Sequence, residues 1–428
     1  MNFKQLLLLS LSIILMMSCK REGCTDQTAV NYDKKAKNDN GSCVYSGVNP
    51  NNPNDPNNPN DPNNPNDPND PNQTLPIRLT GTESGSRTIT NISTNPNVVE
   101  YYIDNTWKID AAITIEPGVR IEMRPGAHIE VKANGSLNAT GTASNKIDIF
   151  GAQDQRGYWG TITFYSNDPN NKLIHCNISN GKDAYQTPGM VTLHGGAQLI
   201  MQNSTLKKGG KYGLSLYHAD NKLPDFHSNY FDDFGESPIK MKNLGQTRYL
   251  DGTTQFGSSS EYNRIYIDGA NYSNPVTVPN MITPYYIAGD FNITDGHTKI
   301  ESGVEMIMSP AAGFTVSPNA SIEFAGLPGA GKIKVRGHQA TQQGYWVNIV
   351  IESNSPNNIF TNTDFSNASR RYQAEASIYL RGSGVLKMDY CSVTLGSKVA
   401  VAAANPSNFT NGVGNTENDN VGGGGLIP

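Results

Sequence analysis

The chain has 428 residues, only 17% of them charged, and a formal net charge of −5 at neutral pH. Glycine (42 residues) and proline (25 residues) are abundant, which suits an all-β protein with many turns and argues against a helical one. The length allows two or more domains. The mildly acidic balance lacks the basic tract of a nucleic-acid-binding protein, so no nucleic acid is expected as a partner.

Residues 1–18 have the pattern of a signal peptide. Lys4 precedes the apolar run LLLLSLSIILMM, which is too short for a good membrane span and fits the core of an export signal. The small Ser18 before Cys19 resembles the bacterial lipobox, in which the cysteine is acylated and becomes the first residue of the mature chain. We therefore expect an exported lipoprotein that faces the cell exterior and is held in the outer membrane by several acyl chains at Cys19. An ordinary signal peptide with an incidental cysteine is the alternative.

A small module follows at residues 19–48. Its segment CTDQTAVNYDKKAKNDNGSCVY resembles a short repeat of exported proteins from Bacteroidetes-type bacteria, of the form C-T-D…A-x-N-Y…A…D-x-G-S-C-x-Y. In an oxidising compartment this resemblance implies a disulfide between Cys24 and Cys43. Side-chain oxygens that could ligate Ca²⁺ belong to Asp26, Asn38, Asp39 and Asn40. A turn fixed by Asn-Gly and the disulfide explains the same residues without a metal, and no other cofactor is expected.

Residues 49–74 form a linker made almost only of Asn, Pro and Asp. Proline occupies every third position from 50 to 71, which places the prolines along one edge of a polyproline II helix. At ~3.1 Å per residue such a segment reaches roughly 70 Å. Because this composition cannot form a core, we expect a disordered stalk that lifts the main domain away from a membrane.

The main domain begins at Leu75 with many short strands. Apolar and polar residues alternate at 121–123 (IEM), 129–131 (IEV) and 147–149 (IDI), with Gly, Pro, Asn and Ser between them, a pattern typical of strands with one buried face. A sandwich or a propeller would also give such spacing. The very short apolar runs, the scarcity of two-residue hairpin turns and the recurrence of similar segments favour a right-handed parallel β-helix.

The chain is internally duplicated. Residues 113–179 return at 298–366, with Gly118 matching Gly303 and Lys146 matching Lys332. We therefore expect a first β-helix unit at 75–250, a connecting segment at 251–284, a second unit at 285–404 and a loose tail at 405–428. Residues 77–109 are expected to cap or overlay the first coils, since an uncapped end exposes unpaired backbone.

The run TIEPGVRIEMRPGAHIEVKANGSLNATGTASNKIDIFG, followed by RGYWGTITF, resembles the β-helix unit of exported Bacteroidetes-type surface lipoproteins. Such domains resemble pectate lyases in fold only. The second copy departs from the pattern, because Ser302 replaces the proline of Glu-Pro-Gly and Val347 follows Trp346 where glycine is expected.

Two motifs imitate known sites. The segment 326–332 fits G-x-x-x-x-G-K, but Ile333 stands where a phosphate loop needs Ser or Thr, and the residues that follow predict a strand. The triplet 362–364 (NTD) imitates one signature of β-helical polygalacturonases, but the other elements of that signature are missing and a single Asp does not supply the two carboxyl groups of a glycosidase. Neither motif is assigned a function.

A charged segment could instead support a Ca²⁺-dependent lyase, if its side chains converged on one face. Solvated charges at turns are the alternative. The residues concerned are Asp225, Asp232, Asp233 and Glu236, with Lys207, Lys208, Lys211, Lys240 and Lys242 nearby.

Trp159 and Trp346 occupy equivalent positions in the two copies, which indicates a structural role; an exposed platform for sugar stacking is the alternative. Cys176 and Cys391 lie on inward-facing patterns, where cysteine behaves as a small hydrophobic residue. The seven histidines show no zinc-site spacing, so no metal ligand is assigned.

The leading hypothesis is a non-catalytic surface lipoprotein that presents a β-helix to a polysaccharide, a surface glycan or another cell-surface component. The first alternative is a polysaccharide lyase or glycoside hydrolase on the same fold. The second alternative is a purely structural shaft. No catalytic or cofactor-binding residue is assigned, and the oligomeric state is left open.

Overall fold

The computed structural model describes residues 21–25, 27, 32–39, 75–370, 376–418 and 420. They belong to two compact units, Met1–Gln73 and Thr74–Pro428. In the first unit, β1 (Glu22–Gly23) and β2 (Asn38–Asp39) form a parallel pair. Cys24 follows β1 and is buried, whereas Cys19, Cys43 and the linker lie outside the described residues. The disulfide and the lipid anchor therefore stay predictions.

The second unit is a succession of short strands. Those that precede its midpoint are β3 (Ile77–Arg78), β4 (Gly81–Glu83), β5 (Arg87–Ile89), β6 (Tyr101–Ile103), β7 (Thr106–Ile109), β8 (Ala112–Ile115), β9 (Arg120–Met123), β10 (His128–Val131), β11 (Ser136–Thr140), β12 (Ile147–Gly151), β13 (Ile162–Phe164), β14 (Lys172–Ile174), β15 (Cys176–Ser179), β16 (Gly189–Leu193), β17 (Ile200–Gln202), β18 (Thr205–Gly209), β19 (Tyr212–Leu216), β20 (Phe226–His227) and β21 (Tyr230–Phe234).

A junction then leads into the second copy. It consists of β22 (Ile239–Met241), a 3₁₀ helix at Leu244–Tyr249, which we call the junction helix, and β23 (Gln255–Phe256). The later strands are β24 (Ile265–Ile267), β25 (Val276–Val278), β26 (Tyr285–Ile287), β27 (Phe291–Ile293), β28 (Gly296–Ile300), β29 (Glu305–Met308), β30 (Phe314–Val316), β31 (Ala320–Ala325), β32 (Ile333–Gly337), β33 (Ile349–Ile351), β34 (Ile359–Thr361), β35 (Thr363–Ser366), β36 (Ala376–Leu380), β37 (Leu386–Asp389), β38 (Ser392–Thr394), β39 (Val399–Ala403), β40 (Phe409–Asn411) and β41 (Thr416–Asn418). Two short 3₁₀ helices lie at Gly329–Gly331 and Pro406–Asn408.

These strands form a right-handed parallel β-helix, as predicted. One sheet of 14 strands, which we call the long sheet, runs from β4 through β22 and β24 to β41. Sheets of eight strands (β3 to β23) and six strands (β5 to β20) flank it in the first half, and sheets of six strands (β25 to β40) and five strands (β27 to β39) flank it in the second. Because the long sheet crosses the junction without a break, the two copies form one continuous β-helix.

Inward-facing side chains stack from coil to coil to form the core. One such column contains Ile121, Ile149, Ile178, Leu206 and Phe231, which are directly paired in register and at most 1% exposed. Burial of each side chain of this size stabilises the fold by ~1.5–3 kcal/mol relative to exposure. The period-2 alternation of the sequence therefore predicted the inward face correctly.

The duplication extends to individual hydrogen bonds. Asn171 and Asn358 occupy equivalent positions and are each 1% exposed. In both copies the side-chain amide donates to a serine carbonyl oxygen five residues earlier at 2.9 Å. Its oxygen accepts the backbone N–H of Leu137 at 3.2 Å or Ile322 at 3.0 Å, one coil away. Each buried asparagine thus links two coils and leaves few polar groups unsatisfied.

The two copies are nevertheless shifted by one face. By sequence, β9 is equivalent to β29 and β10 to β30. In the first copy β10 belongs to the long sheet and β9 to the eight-stranded sheet, whereas in the second copy β29 belongs to the long sheet and β30 to the five-stranded sheet. Equivalent outward residues of the two copies therefore point away from different faces of the β-helix.

Many turns depend on left-handed backbone conformations. In several coils, two residues five positions apart have positive φ, and four of these ten residues are asparagines. They are His175 and Asn180, Asn203 and Lys208, Ser228 and Asp233, Asn362 and Asn367, and Tyr390 and Leu395. Asparagine tolerates this conformation better than most residues, which accounts for part of the asparagine at the turns.

Both ends of the β-helix differ from the expectation. Residues 77–109 neither cap nor overlay the first coils. They form coils themselves: β3, β4 and β7 pair in the same parallel sheets as later strands, and Trp107 and Ile109 are fully buried in the core. At the other end, β40 and β41 lie within the segment 405–428 that was expected to be loose.

Gly135→Ala should destabilise the β-helix by about 1–3 kcal/mol, the usual cost of overpacking. An added Cβ would overlap the Ile109 carbonyl oxygen of the preceding coil. The matched control is Gly85→Ala, where a Cβ meets nothing within 4 Å. The thermal unfolding midpoint of each variant measures the effect, and equal midpoints for the two would contradict the tight inter-coil packing.

Candidate functional site

A row of tyrosines and cations lies on the outer face of the long sheet. Lys240, Tyr266 and Tyr286 are outward-facing and paired directly in register on β22, β24 and β26. Neighbouring strands of a sheet lie ~4.8 Å apart, so these side chains stack along the β-helix. We call Tyr212, Lys240, Arg264, Tyr266 and Tyr286 the tyrosine row.

The rings of this row hold one another and the cations in place. The Tyr212 and Tyr266 centroids are 5.6 Å apart, and those of Tyr266 and Tyr286 are 5.4 Å apart. The Lys240 ammonium lies 5.4 Å from the Tyr212 ring and 5.0 Å from the Tyr266 ring, within the range of a cation–π interaction. It also forms an ion pair of 2.8 Å with Asp268.

Arg264 extends the row along the sheet. Its guanidinium lies 3.7 Å from the centroid of Tyr286 and 4.4 Å from that of Tyr262. Among the described residues its buried Nε has no hydrogen-bond partner. His338 meets the Tyr286 ring edge-on at 6.0 Å. The rings and cations in contact give this face an amphipathic surface.

The phenols of the row stay protonated. Burial is the main cause that raises the pKa of Tyr212, and its hydroxyl also donates a hydrogen bond to the Glu236 carboxylate. Burial, followed by the charge of Asp268, raises the pKa of Tyr266. Burial also raises the pKa of Tyr286. These side chains are therefore neutral at all physiological pH values, and the hydroxyls of Tyr266 and Tyr286 can serve as donors.

A second cluster lies at the carboxyl ends of neighbouring strands in the long sheet. The centroid of His194 lies 5.2 Å from Tyr165, 4.8 Å from Tyr217 and 4.7 Å from His218. The Lys132 ammonium lies 5.2 Å from the Tyr165 ring. We call Tyr165, His194, Tyr217 and His218 the histidine cluster, and the cluster and the tyrosine row together the outer patch.

The histidine cluster is uncharged at its centre. Burial, followed by the charge of His218, lowers the pKa of His194, so its imidazole is neutral at neutral pH and stacks as an aromatic ring. Lys242 follows Met241 of β22 as Tyr217 follows its register partner Leu216 of β19, and its ammonium lies 3.5 Å from Asp268. The histidine cluster and the tyrosine row are therefore neighbours on the long sheet. Asp268 thus pairs with both Lys240 of the tyrosine row and Lys242 beside the histidine cluster.

The acidic residues of the proposed lyase segment are dispersed over the β-helix. Asp225 precedes β20 and accepts a hydrogen bond from Gln202 at 2.5 Å. Asp232 lies on β21 of the eight-stranded sheet and accepts the Ser259 N–H at 3.0 Å. Asp233 also lies on β21 and forms an ion pair with Arg156, which lies in a turn after β12. These three carboxylates have separate partners, and the fourth, Glu236, lies apart from them against Tyr212 of the tyrosine row.

The lysines of that segment are dispersed as well. Lys208 pairs with Asp154 at 2.5 Å and Lys211 with Asp183 at 3.2 Å. Lys207 lies on β18 of the eight-stranded sheet, whereas Lys240 and Lys242 belong to the long-sheet face. These positions fit the interpretation that the charged residues of the segment are separate charges at turns and on strand faces.

The two repeated tryptophans are structural. Trp159 and Trp346 are both fully buried, and each indole N–H donates a hydrogen bond of 2.7 Å to a carbonyl oxygen, that of Ser179 or Ser366. The alternative of an exposed sugar-stacking platform at these positions is wrong, because neither ring reaches the surface.

The motif-like segments have local structural roles. Residues 333–337 form β32, as the sequence predicted, and Lys332 pairs with Asp364 at 2.9 Å. Asp364 of the Asn-Thr-Asp triplet also accepts a hydrogen bond of 2.7 Å from Ser392. No group of three or more candidate metal ligands is found among the described residues.

Within the same described part of the chain, no helix is long and apolar enough to cross a membrane.

Sequence reasoning missed the outer patch. The sequence shows 20 tyrosines, but the register that aligns Tyr266 with Tyr286 depends on the lengths of the turns at the junction. One usable signal was the triplet YYI, which occurs at 101–103 and 285–287 and marks one outward tyrosine in each copy.

No known protein family, no curated protein and no solved structure matches this chain. Its function is therefore inferred from the chemistry of its surface.

In the fragment Thr74–Pro428, neither thiol should react with a disulfide reagent at mildly alkaline pH until the protein unfolds. Cys176 and Cys391, its only cysteines, are buried, and burial raises their pKa values to about 12 and about 11. Below those values the unreactive thiol form predominates. Thiol titration with and without denaturant tests this, and rapid labelling of the folded fragment would contradict it.

Proposed function

We propose that this protein is an exported, lipid-anchored surface protein whose β-helix binds a polysaccharide through the outer patch without cleaving it. The observation that carries the proposal is the tyrosine row, in which Lys240, Tyr266 and Tyr286 stand in register on the outer face of the long sheet and the Arg264 guanidinium lies over the Tyr286 ring.

The geometry of the row suits an extended polymer. Successive strands repeat at ~4.8 Å, so a linear chain lying along the β-helix would meet similar contacts at each coil. The apolar C–H face of a sugar ring packs on aromatic carbon, while its hydroxyls find donors and acceptors in Tyr266, Lys240 and Asp268. Tyrosine adds contact area at a low cost in conformational entropy, and the stacked cations hold the rings in place.

The sequence supports display outside the cell. An export signal ends at Ser18, Cys19 follows in a lipobox-like context, and residues 49–74 can form a long spacer. A binding surface raised on a spacer would reach polymers beyond the membrane that carries its anchor.

The catalytic alternative lacks a supporting constellation in the described residues. A lyase or hydrolase needs carboxylates and cations converging on one bound sugar, and Asp225, Asp232 and Asp233 lie apart with separate partners. The shaft alternative differs from the proposal only in having no ligand, so the binding experiment below separates the two.

Cys19→Ala should release the protein from membranes into the soluble fraction, because the substitution removes the residue that would be acylated. Fractionation of expressing cells, with metabolic labelling by a fatty acid, measures this. Cys176→Ala serves as the control and should leave lipid labelling unchanged. Membrane association that persists in Cys19→Ala would contradict the lipid anchor.

Tyr286→Ala should weaken polysaccharide binding by about tenfold, the effect typical of an aromatic residue central to an interface. The matched control is Tyr102→Ala. Tyr102 is the equivalent residue of the first copy and has Arg124 over its ring at 3.8 Å, but it lies on the eight-stranded sheet. Affinity electrophoresis of the fragment Thr74–Pro428 against plant, algal and host polysaccharides provides the measurement.

The same incubations should be assayed for new reducing ends, with Ca²⁺ and with a chelator. Release of reducing ends would overturn the non-catalytic proposal. No binding to any polymer, or equal losses from Tyr286→Ala and Tyr102→Ala, would remove the support for the outer patch.

A further inference from the structure

A cationic cavity opens beside the junction, away from the outer patch. Its volume is about 370 Å³, and it is lined by Arg248, Pro275, Val276, Thr277, His297 and Lys299. These residues belong to the junction helix, to β25 and its approach, and to β28. The volume lies within the range of roughly 300–1,000 Å³ that holds small molecules.

The junction creates this cavity. The six-stranded sheet of the second half begins at β25, and the junction helix packs beside that strand in place of a further strand. Arg248 lies in the last turn of the helix, where its Nε donates to the Gly245 carbonyl oxygen at 2.6 Å. This hydrogen bond holds the guanidinium beside the first strands of the sheet and leaves its two terminal nitrogens for other partners.

The cavity has more positive than negative charge. Glu323 is the only carboxylate paired with its lining side chains in the described residues: its oxygen lies 3.9 Å from the Lys299 ammonium and 3.4 Å from Nε2 of His297. Arg248 forms no ion pair within the same part of the chain. One carboxylate at these distances does not neutralise both Lys299 and Arg248.

We propose that this cavity is a binding site for an oxyanion, a carboxylate or sulfate group. The planar guanidinium of Arg248 can bind two oxygens of such a group at once, Lys299 supplies a second positive charge, and the exposed Thr277 offers a hydroxyl donor. The group could be carried by an acidic sugar or be free in solution. Because the cavity and the outer patch lie on different sheets, this site does not depend on the polysaccharide site.

The experiment titrates the full chain carrying Cys19→Ala with sodium glucuronate, sodium sulfate and glucose by calorimetry. Arg248→Gln and Lys299→Gln should each weaken oxyanion binding by about tenfold, since each removes a charged partner. Glucose should not bind at this site. Lys387→Gln is the matched control, because Lys387 lies in the same outward row on β37 and pairs with Asp389 at 3.0 Å.

Unchanged thermal midpoints establish that the variants fold. Tighter binding of glucuronate than of sulfate would support the site and identify an acidic sugar as the source of the group, whereas equal binding would support a site for the oxyanion alone. Absence of binding by both, or binding that survives both Arg248→Gln and Lys299→Gln, would overturn the proposal. Tyr286→Ala should leave oxyanion binding intact. A failure of the oxyanion proposal can therefore be distinguished from a failure of the polysaccharide proposal.

Discussion

Each coil of this β-helix depends on the next for its backbone hydrogen bonds. A short parallel strand cannot satisfy its own N–H and C=O groups, so it must pair with the strand one coil earlier and the strand one coil later. This pairing fixes the register along 14 strands of the long sheet. The register then places side chains in rows: inward rows form the core, and outward rows form surfaces that repeat at the strand spacing. The tyrosine row follows one of these outward rows.

The sequence allowed the fold to be predicted, and the reason is physical. Alternation such as Ile121-Glu122-Met123 reports a buried face directly, and the same alternation recurs at the spacing of stacked coils. The repeated Trp159 and Trp346 were correctly interpreted as structural, because a residue kept at the same interior position in both copies serves the packing that both copies share.

The site was harder to predict because sequence proximity means little on a triangular coil. Between Asp225 and Lys242 the chain passes along three different faces, so charges that look clustered in the sequence separate in space. Conversely, Lys240, Tyr266 and Tyr286 are spaced by 26 and 20 residues and still stack in one row. Their alignment depends on the turns and on the junction helix. The six residues of that helix replace a strand, and their sequence shows no obvious periodic pattern.

The shift by one face between the copies has different consequences for the interior and for the exterior of the β-helix. Interior positions experience nearly the same environment on every face, so a duplicated segment could enter the β-helix at a new rotation without losing its packing. Exterior positions gained new neighbours at once: the tyrosine of YYI adjoins Arg124 on a flanking sheet in one copy and joins a row of rings on the long sheet in the other. The two copies thus share one kind of core, whereas the outward tyrosine of YYI has different neighbours in each copy. An outward residue of one half can therefore have neighbours, and so a local chemistry, that its counterpart in the other half lacks.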